Sequence, residues 1–344
     1  MALIQVNVHK AALVPADAAA GPVEAQLAAG LAGLPPGAPV VVMIHGFRFS
    51  PRADRHSPHR HILALDPAPG CARALSWPRH LGFGRGEAAE GLAIALGWEA
   101  RGTIWQAWRS AARAGAGLAA LVTLLRRLDP HRPVDLVAHS LGARVALAAL
   151  PLLKAGDLGR AVLLAAAELQ GTAAAAMDSP AGRAAEVMNV TTRENDLFDF
   201  GLELLVAGGR RRGLGHGLPQ PRANWVDLQL DHEDAPAALA GLGFRINGPG
   251  ARICHWSAYR RPGVFALYRA FLRERAALSP AHLRAALSLP QAPRWSRLLP
   301  RGQGAWWPGA WRPRLRLRSP RAQPLPLPPA ANGPSLSCAT GETP

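Results

Sequence analysis

Cysteine and lysine are scarce in this chain of 344 residues, and long uninterrupted apolar runs are missing. The three cysteines, Cys71, Cys254 and Cys338, are odd in number and far apart, with no Cys-x-x-Cys pair and no Cys/His zinc spacing. That excludes a disulfide scaffold and a zinc module. The first residues, Met-Ala-Leu-Ile-Gln-Val-Asn-Val-His-Lys, lack a basic start followed by an apolar core, so no signal peptide is expected. The longest apolar stretch, Ala143 to Leu169, is broken by Arg144, Lys154, Asp157 and Arg160. Its uninterrupted segments fall short of the roughly 18 residues a membrane span needs. A cytoplasmic protein with free thiols and no membrane span is the expectation.

The net charge of +16 resembles a nucleic-acid signature, but its make-up argues otherwise. Only Lys10 and Lys154 are lysines among the 39 basic residues, leaving 37 arginines beside abundant Ala, Gly and Pro. That bias points to a GC-rich coding sequence rather than to a selected binding face. Eight arginines and a single acid, Glu342, lie from Gln291 onward, so much of the excess sits at the end of the chain. No nucleic-acid partner is expected.

Hydrophobic residues make up 49% of the chain and charged ones 18%, enough for a sizeable core and too apolar for a disordered chain. From Pro290 the composition shifts to proline and arginine, with Trp295, Trp306, Trp307 and Trp311 and no helical or strand period. Such a segment repays little of its ordering entropy. Residues 1–289 are therefore read as one domain and 290–344 as a low-complexity, disordered or loosely docked tail. Within the domain, Leu3–Val8, Val40–His45, Ala72–Trp77, Val134–His139, Ala161–Ala166 and Glu186–Thr192 read as strands. Val23–Leu34, Ile104–Leu128, Leu141–Leu153 and Gly263–Arg273 read as helices. This alternation predicts an α/β protein, a mostly parallel sheet flanked by helices, with its site at the carboxyl ends of strands.

The informative stretch is Val134-Asp-Leu-Val-Ala-His-Ser-Leu-Gly-Ala-Arg-Val-Ala-Leu147, a strand passing straight into a helix. A serine on so tight a turn is strained, and its hydroxyl is pushed clear of the sheet. Small neighbours, Ala138 and Gly142, fit the crowding there. The helix start offers the Leu141 amide and a positive dipole end to a developing oxyanion. In these residues the sequence resembles the α/β-hydrolase superfamily of serine esterases and lipases, whose elbow is G-x-S-x-G, with Ala138 replacing the first glycine. Val40-Val-Val-Met-Ile-His-Gly-Phe47 looks like the superfamily's early strand ending in His-Gly. The resemblance spans about residues 1–275. It implies Ser140 as nucleophile and the backbone amides of Phe47 and Leu141 as oxyanion hole.

The order serine, acid, histidine then points to two partners. Asp196, just past the strand Glu186–Thr192, is the expected acid, with Glu168, Glu194 and Asp199 as alternatives. His255, before the helix Gly263–Arg273, is the expected base; His216 and His232 are rivals, and His139 is expected to pack rather than act. The resemblance implies a serine hydrolase cleaving a small-molecule carboxylic ester, or a thioester or amide, through an acyl-enzyme, without cofactor. His56, His59 and His61 have a metal-like spacing but no carboxylate partner, and are read as part of a loop bordering the pocket. Three segments, Arg48–Gly70, Leu81–Ala100 and Leu205–Asn224, are expected to fold over the site. A second reading stands beside the first: an inactive relative acting as a binding or scaffolding protein through its Arg/Trp-rich tail.

Overall fold

The computed structural model describes residues 3–68, 74–287 and 290–299. Eight strands form one sheet: β1 (Leu3–His9), β2 (Ala12–Pro15), β3 (Val40–Ile44), β4 (Leu92–Gly97), β5 (Val134–His139), β6 (Leu158–Leu164), β7 (Glu186–Thr191) and β8 (Trp225–Gln229). Their order is β2-β1-β4-β3-β5-β6-β7-β8. The β1–β2 pairing is antiparallel and all the others are parallel. With helices on both faces, this is the mostly parallel α/β sheet expected from the sequence, and it is consistent with an α/β-hydrolase fold.

The contiguous apolar runs of the central strands follow from burial on both faces. Val40, Val42 and Ile44 share one core with Leu136 and Ala138 and with the helices Ile104–Leu128 and Leu141–Ala149. Val41, Met43 and Val137 point the other way, into a second core with Trp77 and the helix Val264–Arg273. The long helix Ile104–Leu128 starts on a reciprocal cap, in which the Thr103 hydroxyl accepts from the Gln106 amide and the Gln106 side chain accepts from the Thr103 amide.

Two expectations about the sheet change. Trp77 opens a short helix, Trp77–His80, with Ser76 as its cap, so Ala74–Trp77 is no strand; the first residues of that predicted strand, 72–73, lie outside the described residues. Leu92–Gly97, expected among the loops over the site, is a strand buried along its whole length between β1 and β3. Residues 290–299, placed in the tail by composition, lie against the body. Ala292 N–H donates to Gln229 Oε1 at 2.8 Å, Arg294 pairs with Glu203 at 2.7 Å, and the Trp295 ring packs against Phe200. The remainder, 300–344, lies outside the described residues, as do Cys71 and Cys338. Among the described residues no helix is long and apolar enough to cross a membrane.

Candidate active site

Ser140 joins β5 to the helix Leu141–Ala149 with φ 55° and ψ −123°, a left-handed conformation that a serine adopts only where its surroundings impose it. Its backbone is tied to the end of β6 and the turn after it: its N–H donates to Leu164 C=O at 3.0 Å, and its C=O accepts from Ala167 N–H at 3.0 Å. The first amide of the helix belongs to Leu141, which has no intrahelical partner.

The end of β3 presses against this turn. A Cβ on Gly46 would stand 2.8 Å from Ser140 Cβ and 2.9 Å from His139 C=O, and one on Gly142 would stand 2.6 Å from the carbonyls of both Ile44 and His45. Both positions must therefore be glycine. At Gly142 the crowding comes from β3 rather than from across the serine turn itself. His45 locks the approach: its Nε2 accepts from Trp98 N–H at 3.0 Å while the Trp98 indole N–H donates to His45 C=O at 3.0 Å. That leaves the proton on Nδ1, which donates to Gly46 C=O at 2.9 Å. Burial pushes the ring down to a pKa of about 3, so His45 is a neutral strut. The Phe47 amide follows directly, with Arg48 N–H bonded to Ala100 C=O at 2.9 Å.

His255 arrives from the far end of the fold. Its Nε2 lies 2.9 Å from Ser140 Oγ, and its Nδ1 lies 2.7 Å from Asn195 Oδ1. The loop is held at the backbone by Cys254 N–H on Glu194 C=O at 2.9 Å and by the His139 Nε2–H on His255 C=O at 3.1 Å. The ring is stacked on Phe198 at 4.6 Å and flanked by Trp256. Burial, with the nearby His139, lowers its pKa well below the usual histidine range, so the ring is neutral at rest. Ser140 is only 4% exposed, whereas Phe198 and Trp256 are 40% and 45% exposed and form an apolar rim.

The expected acid is not the group that meets the ring. Asp196 is turned away: its Oδ1 takes Arg193 Nη1 at 3.1 Å and its Oδ2 takes the Trp295 amide at 2.6 Å. Asn195 ends the short turn Arg193–Asn195 and Asp196 opens the helix Asp196–Ala207, so consecutive side chains diverge by about 100°. The alternatives are engaged elsewhere. Glu168 pairs with Arg144 at 2.5 Å, and Glu194 with the buried Arg261 at 2.5 Å. Asp199 accepts from Asn195 Nδ2 at 2.9 Å and so stands behind the amide. Among the other histidines, His216 faces Glu203 and His232 accepts from the Asp234 amide at 3.2 Å. His59 bonds Asn7 at 2.7 Å and His61 lies against Phe49.

Sequence reasoning missed Asn195 because only carboxylates were considered for the third position. A signal was present. Asn195 and Asp199 are four residues apart at a helix start and so share one face, within reach of each other.

No family model matches the chain, and no curated protein matches it in sequence. Among solved structures, it is similar to a lipase from Bacillus licheniformis in its mature form, at 14% identity and a TM-score of 0.34, over 57% of this chain and 85% of that one. It is also similar to a cold-adapted esterase from an Arctic intertidal metagenomic library, at 13% identity and a TM-score of 0.33, over 70% of this chain and 83% of that one. Superpositions this loose fix no residue correspondence.

Proposed function

We propose that this chain is a serine hydrolase that cleaves a carboxylic ester, with thioesters and amides open to the same chemistry, through an acyl-enzyme on Ser140. The observation that carries the reading is the 2.9 Å contact between a neutral, buried imidazole and a hydroxyl on a strained strand-to-helix turn. A serine hydroxyl is a weak nucleophile at neutral pH and needs an adjacent base. His255 Nε2 takes the Oγ proton as Oγ attacks the carbonyl carbon. The amides of Phe47 and Leu141 receive the oxyanion, each such donor being worth about 3 kcal/mol in the transition state. His255 returns the proton to the leaving oxygen as the bond breaks, and water repeats the sequence to free the acid and Ser140. No cofactor takes part.

Asn195 would fill the third position. Its oxygen holds the proton on Nδ1, which keeps the Nε2 lone pair free, but a neutral amide stabilises the imidazolium less than a carboxylate does. The exposed Phe198 and Trp256 beside the ring favour an ester flanked by apolar groups.

A fluorophosphonate probe tests the proposal. Wild type takes up one equivalent, Ser140→Ala takes up none, and His255→Ala reacts at least about 1,000-fold more slowly. Labelling that persists in Ser140→Ala rules out this nucleophile. A folded wild type inert to the probe and to a broad ester panel favours a binding protein on the same scaffold.

A further inference from the structure

We infer that Asp199 is a positioning residue for the proposed reaction: its ionised carboxylate holds the Asn195 amide with nitrogen inward and oxygen toward His255, and so selects the tautomer that can act as base. The inference rests on the reading of Ser140 and His255 given above.

The chain of hydrogen bonds has one consistent direction. An ionised carboxylate only accepts, so the group 2.9 Å from Asp199 Oδ1 must be the Asn195 NH2. The amide oxygen then faces His255 Nδ1 at 2.7 Å, and this contact requires the ring proton on Nδ1. Nε2 is left with a lone pair toward Ser140 Oγ at 2.9 Å. A protonated Asp199 reverses the logic. Its O–H can donate to the amide oxygen, the amide turns over, and its NH2 faces Nδ1. The proton moves to Nε2, where it blocks the base.

Every titratable group around Asp199 bears on that switch. Arg193 comes from the turn after β7, but its guanidinium already serves Asp196 Oδ1 and Gly215 C=O. Asp196 lies on the same helix. Arg294 reaches in from the segment 290–299 and is paired with Glu203. On the remaining side Asp199 Oδ2 lies against Gly215, where a side chain would collide with it. The neighbouring His216 is held neutral by burial, with a pKa lowered to about 4. Desolvation outweighs Arg193 and is reinforced by Asp196, which brings the Asp199 carboxyl up to about 7. The charge that orients the amide is therefore present above that pH and lost below it, while burial holds the His255 ring well below the usual histidine range.

The test uses the full chain with 15N-labelled histidine. Ring nitrogen shifts of His255 report the tautomer, and the burst of 4-nitrophenol from 4-nitrophenyl acetate reports acylation. Wild type is expected to show the Nδ1–H tautomer at pH 8.5 and to lose it, together with acylation, as pH falls through about 7. Asp199→Asn is expected to show mixed tautomers and acylate about 30-fold more slowly at pH 8.5, with KM little changed and no limb near pH 7. The double variant N195D/D199N brings the carboxylate directly to the ring. It is expected to recover to within about threefold of wild type, which a purely structural role for Asp199 does not predict. A single Nδ1–H tautomer with wild-type acylation in Asp199→Asn overturns the inference, as does a folded double variant no better than Asp199→Asn. If Asp199→Asn does not fold, the wild-type shift titration decides alone, and a tautomer unchanged from pH 8.5 to 5.5 overturns the inference. A wild type without a burst but with the predicted tautomer switch would sink the hydrolase reading and leave the positioning intact.

Discussion

The turn that carries Ser140 and the loops that carry Asn195 and His255 meet within hydrogen-bond distance, yet different forces hold them. Around Ser140 the contacts are between backbones: Gly46 and Gly142 leave room for two strand ends to touch, and the polar side chains there, His45 and His139, are neutral. Around Asn195 the contacts are between buried charges. Arg193 bonds Asp196, Glu194 bonds Arg261, and Asp231 accepts from the amides of Arg193 and Glu194 at 3.0 and 3.2 Å. The first region is fixed by shape, the second by electrostatics. A neutral amide in the third position fits the second region, because another carboxylate there would join Glu194, Asp196, Asp199 and Asp231.

The charge-held region should show the largest effect. Glu194→Ala leaves the Arg261 guanidinium buried without its partner, and removing one member of a buried pair is worth about 3–5 kcal/mol of stability. Denaturant unfolding should show that loss, and because the Glu194 carboxylate also accepts from the Ala251 amide at 3.1 Å in the segment leading to His255, acylation should fall with it. An unchanged midpoint would mean that charge does not hold this region.

The shape-fixed region should answer to a methyl group instead. Gly142→Ala places Cβ against two backbone carbonyls, which cannot swing aside as a side chain would. Overpacking of this kind destabilises by about 3 kcal/mol, and the displaced Leu141 amide should slow fluorophosphonate labelling about 100-fold. Wild-type labelling in that variant would separate the elbow from the β3 contact.

The smallest effect concerns Asp199 and has the opposite sign. Its carboxyl ordinarily titrates near 3.8 and in the fold near 7, so the folded state holds the extra proton between those values. Stability from this group is full below about 3.8, declines as pH rises, and is lowest above 7. Asp199→Asn removes the charged state. Relative to wild type, its thermal midpoint should climb steadily as pH rises from about 4 to 7 and level off above that. A relative midpoint lower at pH 8 than at pH 5 would make Asp199 a structural anchor.

The same division governs what the sequence revealed. Ile104–Leu128 and Val134–His139 have the bounds expected from helical period and from a continuous apolar run, and Ser140 sits on the turn its neighbours imply, because local sterics and double-sided burial write themselves into adjacent residues. Leu92–Gly97 escaped because a short Leu/Ala run bounded by glycine has no period of its own and becomes a strand only through β1 and β3. The group that meets His255 Nδ1 lies one residue before the expected Asp196. Spacing located the loop after β7, but which of Glu194, Asn195 and Asp196 faces His255 depends on how a single turn rotates and on which acids find arginines. Those partners, Arg261 and Arg193 with the Trp295 amide, are settled in three dimensions.

The measurement that bears most directly on the account is the single-turnover acylation rate of Ser140 in Asn195→Ala set beside Asp196→Ala, with unfolding midpoints recorded for both. The expected result is a loss of about 100-fold or more in Asn195→Ala with its fold intact, and acylation within about fivefold of wild type in folded Asp196→Ala. The reverse ranking would put the carboxylate back in the third position and contradict the assignment of the amide.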